Sequence, residues 1–171
     1  MELRIGISSC LHGENVRYDG GHKHDPQLIE TLGRYFTLVP VCPEVESGLP
    51  VPREPMRLEG SRANPRLVTI ESRIDLTDQM RSYCAKKVAE LERDRICGFV
   101  FKMNSPSSGL HRVKVYSEGA PIRYGRGLFA AEVVKRFPHL PVAEEGDLAD
   151  LILLENFMER VFTYSRWKGY R

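Results

Sequence analysis

Two cysteines stand where a thiolate could serve as a metal ligand or as a nucleophile. Cys10 lies in the run Ser8-Ser9-Cys10-Leu11-His12-Gly13 and Cys42 in Pro40-Val41-Cys42-Pro43-Glu44. Each sits beside glycine, proline or charge, a setting in which a thiol can react or bind metal. Cys84 and Cys97 differ. Cys84 shares a helical stripe with Met80, Val88 and Leu91, and Cys97 opens the apolar run Cys97-Gly98-Phe99-Val100-Phe101. A cysteine in such company behaves as a small hydrophobe, so both are read as core. His12, His22 and His24 would complete a nitrogen–sulfur donor set for zinc with Cys10 and Cys42. Their spacing matches no standard zinc module and favours surface histidines.

Other residues carry weaker signals. Arg17-Tyr18-Asp19-Gly20-Gly21 reads as a turn whose glycines permit positive φ. The same glycines would let backbone N–H groups approach an anion or cluster sulfurs. Glu44, judged by residue type and position alone, is a solvated loop acid. Gly48-Leu49-Pro50-Val51-Pro52-Arg53 forms a stiff extended wall, and its Arg53 either recognises an acid or is exposed. Ser105 and Ser107 flank Pro106 in a tight turn, where serine bonds local backbone. No histidine base lies near them, which argues against a serine-hydrolase triad.

The elements that must position these residues follow from periodicity. Leu3 to Ser8, Thr37 to Val41 and Cys97 to Met103 read as strands, with a further short strand at Leu140 to Val142. Asp25-Pro26 caps a helix carrying Leu28, Ile29, Leu32 and Phe36; Thr77 opens a second helix, and Gly127 to Phe137 a third. Pro43 to Gly60 is rich in proline and glycine and is read as surface loop. Strands alternating with helices predict a single α/β domain, a mostly parallel, Rossmann-like sheet with flanking helices. In such sheets ligands bind where the loops leave the carboxyl ends of the strands. Cys10, Cys42-Pro43-Glu44 and Ser105 to Gly109 each follow a strand, so all three loops are expected at one sheet edge.

Composition narrows the class. The chain has 171 residues, 42% of them apolar and 28% charged, which suits one ordinary globular domain. Lysine and arginine number 25 against 23 acids, so no extended nucleic-acid surface is expected. The basic cluster Arg160, Arg166, Lys168 and Arg171 is read as a solvated helix end. No secretory pattern and no membrane-spanning apolar run is evident. Four dispersed cysteines without a CxxC pair favour a reducing, cytoplasmic setting. Near the end, Leu151, Leu154, Phe157, Met158, Val161 and Phe162 form a wide helical stripe that Tyr164 and Trp167 continue. Such a stripe predicts docking on this domain plus self-association through the C-terminal helix.

Three segments in order resemble the TudS-type thiouracil desulfidase family. They are SSCLHGENVRYDGG, PVCPEVESGLPVPR and KMNSPSSG, and the resemblance spans residues 3 to 145. The family pattern has SPSCG where this chain has Ser105-Pro106-Ser107-Ser108-Gly109, so Ser108 occupies the position of an expected third cysteine. The resemblance implies a [4Fe-4S] cluster with three protein ligands and one open iron, carried over to Cys10, Cys42 and the Ser108 position. Serine oxygen is a poor substitute for thiolate, which predicts a labile or absent cluster and impaired activity in this form. By the same resemblance Glu44 is a base or ring-NH partner, Ser105 and Ser107 orient the ring, and Asp19 and Lys23 belong to the pocket. The implied reaction converts a thiolated nucleobase or nucleoside (thiouracil, thiouridine) to uracil or uridine plus sulfide. Residues 1–145 are expected to form the desulfidase domain. Residues 146–171 resemble the connector to a YbgA-like domain, so the chain is expected to be an N-terminal piece. The competing readings are a zinc-dependent hydrolase or deaminase and a non-catalytic thionucleoside-binding or accessory module.

Overall fold

The apolar runs that the sequence marks as strands become the parallel core of the molecule, seen here in a computed structural model that describes residues 2–170. β1 (Arg4–Ser8), β2 (Thr37–Val41), β5 (Ile96–Phe101) and β8 (Val142–Glu144) form one sheet in the order β2-β1-β5-β8, every pairing parallel. The two inner strands are apolar almost throughout, and all six residues of β5 are buried, as expected of strands covered on both faces.

The alternation of β5 shows how the faces are covered. Phe99 and Phe101 stack on each other and meet Phe129 of α4 (Leu128–Arg136) edge-on. α4 packs in turn on α3 (Thr77–Arg93), through Tyr83 against Phe129 among other contacts. Gly98, next to Phe99, faces the opposite side, where α5 (Leu151–Lys168) crosses. A Cβ there would lie 3.0 Å from Val161 and 3.3 Å from Phe157, so glycine lets the helix approach closely. α1 (Pro26–Gly33) shares that side, with Phe36 just past its end 5.1 Å from Phe162. In α5, Leu154, Phe157, Val161 and Tyr164 are buried, which is the docking expected of its stripe. Leu151 and Trp167 remain 69% and 64% exposed, and Arg171 lies outside the described residues. Cys84 and Cys97 are fully buried, and burial pushes their thiols up to about 12 and about 11. Among the described residues no helix is long and apolar enough to cross a membrane.

A second sheet departs from the sequence reading. It contains β3 (Met56–Gly60), β4 (Pro65–Thr69), β6 (Val113–Tyr116) and β7 (Ile122–Gly125), in the order β4-β3-β6-β7. The stretch Pro43 to Gly60, read as loop, holds both the four-residue helix α2 (Pro43–Glu46) and β3. Once past Pro55, Met-Arg-Leu-Glu alternates inward and outward, and β3 pairs with β4 from Met56↔Thr69 to Gly60↔Pro65. The last parallel strand begins at Val142 rather than Leu140. Pro141 has no N–H to give the ladder, and its carbonyl instead accepts from Phe99 N at 3.0 Å.

Candidate functional site

At the carboxyl edge of the parallel sheet the three loops enclose a cavity of about 480 Å³. Cys10, Cys42 and Ser108 all line it, with Glu44, Arg53, Ser105, Ser107, Lys23 and Lys102. The first loop turns straight out of β1. Leu11 N donates to Ser8 O, and Lys23 N closes the loop on Cys10 O at 2.9 Å. In the second, Cys42 is the N-cap of α2 with Pro43 at the first helical position. Its side chain makes no capping bond, and the residue lines the cavity. The third loop is tied to the first where Lys102 N donates to Ser8 Oγ at 2.9 Å.

Helix α4 holds the third loop from behind. Leu128 N donates to Pro106 O, and Phe129 N and Ala130 N both donate to Ser107 O. These are orphan donors of the helix N-terminus, here satisfied by loop carbonyls. The approach requires Gly127, whose Cβ would lie 2.4 Å from Ser107 C and 2.7 Å from Ser108 N. Gly127→Ala is therefore expected to destabilise the fold by about 1–3 kcal/mol, as overpacking does. Denaturant unfolding of the metal-free protein measures this, and an unchanged midpoint would show that the loop yields freely.

Glu44 is the hub of the polar wall. Arg53, with only 6% of its side chain exposed, donates to Glu44 Oε2 through Nε at 3.0 Å and also through Nη2. Arg53 Nη2 reaches Val16 O at 2.8 Å as well, and Arg53 N donates to Tyr18 O, tying the first loop to the second. The other Glu44 oxygen, Oε1, accepts from Ser107 Oγ at 3.1 Å, which adds the third loop. Since Ser107 spends its proton on Glu44, the 3.1 Å contact between Ser105 and Ser107 must have Ser105 as donor. Ser105 Oγ in turn accepts from Ser108 N at 3.0 Å and Ser107 N at 3.3 Å, so it both shapes the turn and orients Ser107. Lys102 Nζ pairs with Glu145 at 2.7 Å.

Burial also sets the state of the thiols. It pushes Cys42 up to about 11 and raises Cys10, the latter partly offset by the charges of Lys102 and Arg17. The metal-free Cys42 is thus a neutral thiol at pH 7, and a bound metal must displace its proton.

Of the residues singled out in the sequence, Cys10, Cys42, Ser108, Glu44, Ser105, Ser107 and Lys23 come together around the cavity, Lys23 at its exposed rim. Asp19 is not among the lining residues. Its carboxylate accepts from Gly21 N at 2.9 Å within its own turn. His12, His22 and His24 are exposed and line no part of the cavity. A group of three ligating side chains does form elsewhere, at His111, Glu144 and Asp147, but it contains no cysteine. Arg53 is the acid-recognising arginine of the two readings open to it, and the acid is Glu44 of its own chain. Lys102 lines the cavity without having been singled out, and Arg17 and Tyr18 of the Arg17–Gly21 turn line it too. The one clue to Lys102 was its place at the end of the third parallel strand.

The donor set suits an iron–sulfur cluster in placement, and in two of its three positions in chemistry. Cys10 and Ser108 are 8% and 4% exposed, and the Ser108 hydroxyl makes no hydrogen bond among the described residues although it borders the cavity. Among the described residues the Tyr83 hydroxyl is the buried side-chain oxygen that lacks a partner, so the Ser108 oxygen is open to the solvent of the cavity. Two soft thiols and one hard oxygen, on the same cavity as a carboxylate–hydroxyl pair, form the donor set of a candidate metal-cofactor site at the ligand-binding edge of a Rossmann-like sheet.

Comparison with known proteins agrees. A model of the 2-thiouracil desulfurase family matches residues 5–145, and the chain belongs to that family. The solved structure of a [4Fe-4S]-dependent thiouracil desulfidase, TudS, superposes with a TM-score of 0.71 at 30% identity, covering 91% of this chain and 99% of that one. A protein of Bacillus subtilis, the uncharacterized YbbK, is 30% identical over 110 residues, or 61% of this chain and 72% of its own length.

Proposed function

We propose that the protein is a thiouracil desulfidase, releasing sulfide from a thiolated pyrimidine in the cavity described above, at a cluster held by Cys10, Cys42 and, weakly, Ser108. The observation that carries this reading is the convergence of those three residues with Glu44 and Ser107 on one cavity at the sheet edge. When bound, the [4Fe-4S] cluster supplies an open iron, a soft Lewis acid suited to a thiocarbonyl sulfur. The net reaction is a hydrolysis. A water oxygen bonds to the ring carbon, the carbon–sulfur bond breaks, and sulfur leaves as sulfide without net oxidation or reduction.

The protein's own groups account for the proton movements. Arg53 saturates Glu44 Oε2, which leaves Oε1 as the oxygen able to take a proton from the attacking water. Ser107 must then turn its hydroxyl from Glu44 toward the substrate, while Ser105 keeps the turn closed through Ser107 N and Ser108 N. In this reading Lys23, which lines the rim, meets a polar edge of the ring, and Asp19 contributes by shaping the Arg17–Gly21 turn. The desulfidase unit is residues 1–145, with 146–171 as a docked extension. The exposed Leu151 and Trp167 offer a second copy its contact. A ligand set of thiolates favours a reducing compartment, the cytoplasm. No extended nucleic-acid surface enters this reading; the substrate is a free base or nucleoside.

The test is an alanine series in a Ser108→Cys background after anaerobic reconstitution. Cys10→Ala and Cys42→Ala are expected to abolish iron uptake with little change in melting temperature. Cys84→Ala and Cys97→Ala are expected to keep iron and lower the melting temperature, as core truncations do. Uptake of zinc without iron or labile sulfide by the unaltered protein, or iron loss from Cys84→Ala at unchanged stability, overturns the assignment.

A further inference from the structure

Helix α3 presents a row of polar side chains, one turn apart, to the back of the turn that carries Cys42 and Glu44. Gln79 Nε2 donates to Ser47 O at 2.9 Å, at the end of α2. One turn on, the Tyr83 hydroxyl is buried with no hydrogen-bond partner among the described residues. Burial, and then the charge of Glu46, push it far above the ordinary tyrosine range. One turn further, Lys87 Nζ pairs with Glu46 Oε1 at 3.0 Å and with Glu90 at 3.1 Å. Lys87 has only 8% of its side chain exposed and sits on the same helix as the core residues Met80, Cys84, Val88 and Leu91.

A buried lysine is a costly choice for a core stripe. Burial works against its charge, and the two carboxylates beside it more than restore it. Glu46 faces the other way as well. Its second oxygen, Oε2, accepts the backbone N–H of Cys42 at 2.7 Å. Cys42 N is thereby held by a carboxylate that is itself anchored to α3. On one side of this N-cap β2 is fixed by Ser9 N donating to Val41 O at 2.9 Å, and on the other lies the short α2, four residues long. A four-residue helix is too short to be rigid alone.

We propose that Glu46 and Lys87 are positioning residues for the metal site: the ion pair of buried Lys87 with half-exposed Glu46 fixes the backbone of Cys42 and so the direction of its sulfur into the cavity. Neither residue lines the cavity, so both act through Cys42. The proposal rests on Cys42 being a cluster ligand, but its first consequence needs no cluster. With the pair broken, the α2 turn opens more often and the Cys42 thiol becomes more accessible in the metal-free protein.

The experiment measures iodoacetamide alkylation of Cys42 in the metal-free protein by mass spectrometry, for the unaltered chain, Lys87→Met and Lys87→Arg. Lys87→Met is expected to raise the Cys42 rate about tenfold, as for a local opening made roughly 1.4 kcal/mol easier. Lys87→Arg keeps the charge on Glu46 and is expected to return the rate to that of the unaltered chain. After anaerobic reconstitution in a Ser108→Cys background, iron content and visible absorption are expected to fall in Lys87→Met and recover in Lys87→Arg. Should Lys87→Met fail to fold, Glu46→Gln at the half-exposed end of the pair breaks the same link, and a faster Cys42 reaction is again expected. A purely structural lysine would lower the melting temperature and leave Cys42 alkylation, iron and absorption where they were, and that result overturns the proposal. If the Ser108→Cys chain binds no more iron than the unaltered one, the cluster reading fails by itself, while the alkylation rates still decide whether Lys87 positions Cys42.

Discussion

Glu44→Gln in a Ser108→Cys background is expected to bind as much iron as its parent and to lose thiouracil turnover by about 100- to 10,000-fold, the usual range for a general acid–base group. The two chain contacts of Glu44 make the expectation specific. Oε2 receives two donors from Arg53, and Oε1 receives Ser107. Glutamine can offer one oxygen only, so its NH2 group must face either Arg53 or Ser107. Facing Arg53 it sets donor against donor; facing Ser107 it forces that hydroxyl to reverse. In neither case is a carboxylate left to take the proton of water. None of this touches Cys10, Cys42 or residue 108, which is why iron should stay. Iron, labile sulfide and melting temperature measured beside turnover separate lost chemistry from lost structure. Unchanged turnover removes Glu44 from the mechanism.

How far the sequence could be read depended on the range of the interactions involved. β1, β2, β5 and the helices α1, α3 and α4 announce themselves through local periodicity, and their observed limits fall within a few residues of the expected ones. The second sheet does not. β3 pairs in parallel with β6, Leu58 against Val115, across more than fifty residues, and no local pattern encodes such a partner. The prolines from Pro43 to Pro55 further masked α2 and β3, although Pro43 is a favourable first helical residue. The candidate site was more legible than the fold around it. In a parallel sheet, residues that follow successive strands must meet at one edge, whatever the loops do. That argument needs only strand positions, and it placed Cys10, Cys42 and the Ser105–Gly109 turn together. The pairing of Arg53 with Glu44 was beyond it, because it depends on how the chain folds back between them. Asp19 shows the opposite failure: a residue inside a suggestive motif closes its own turn instead of facing the cavity.

Ser108→Cys is expected to bring the protein from little or no bound iron to a cluster near full occupancy, and thiouracil desulfidation into measurable range. Residue 108 follows β5 on the third loop, it borders the same cavity as Cys10 and Cys42, and its hydroxyl has no hydrogen-bond partner among the described residues. The backbone that aims it is fixed from three sides. Ser108 N donates to Ser105 Oγ, Gly109 N donates to Ser105 O, and Gly127 packs on the 107–108 peptide. A sulfur in place of the oxygen extends toward open volume, so the exchange should fold without strain. The gain comes from ligand chemistry. A thiolate is a soft donor matched to iron–sulfur clusters, whereas a serine hydroxyl must lose a far less acidic proton to become a hard one. Both forms are reconstituted identically without oxygen, then assayed for iron, labile sulfide and loss of 2- or 4-thiouracil. Visible absorption follows the cluster independently of turnover. If the cysteine form takes up no more iron than the serine form, residue 108 is not aimed at the position that Cys10 and Cys42 share, and the cluster reading of this cavity fails.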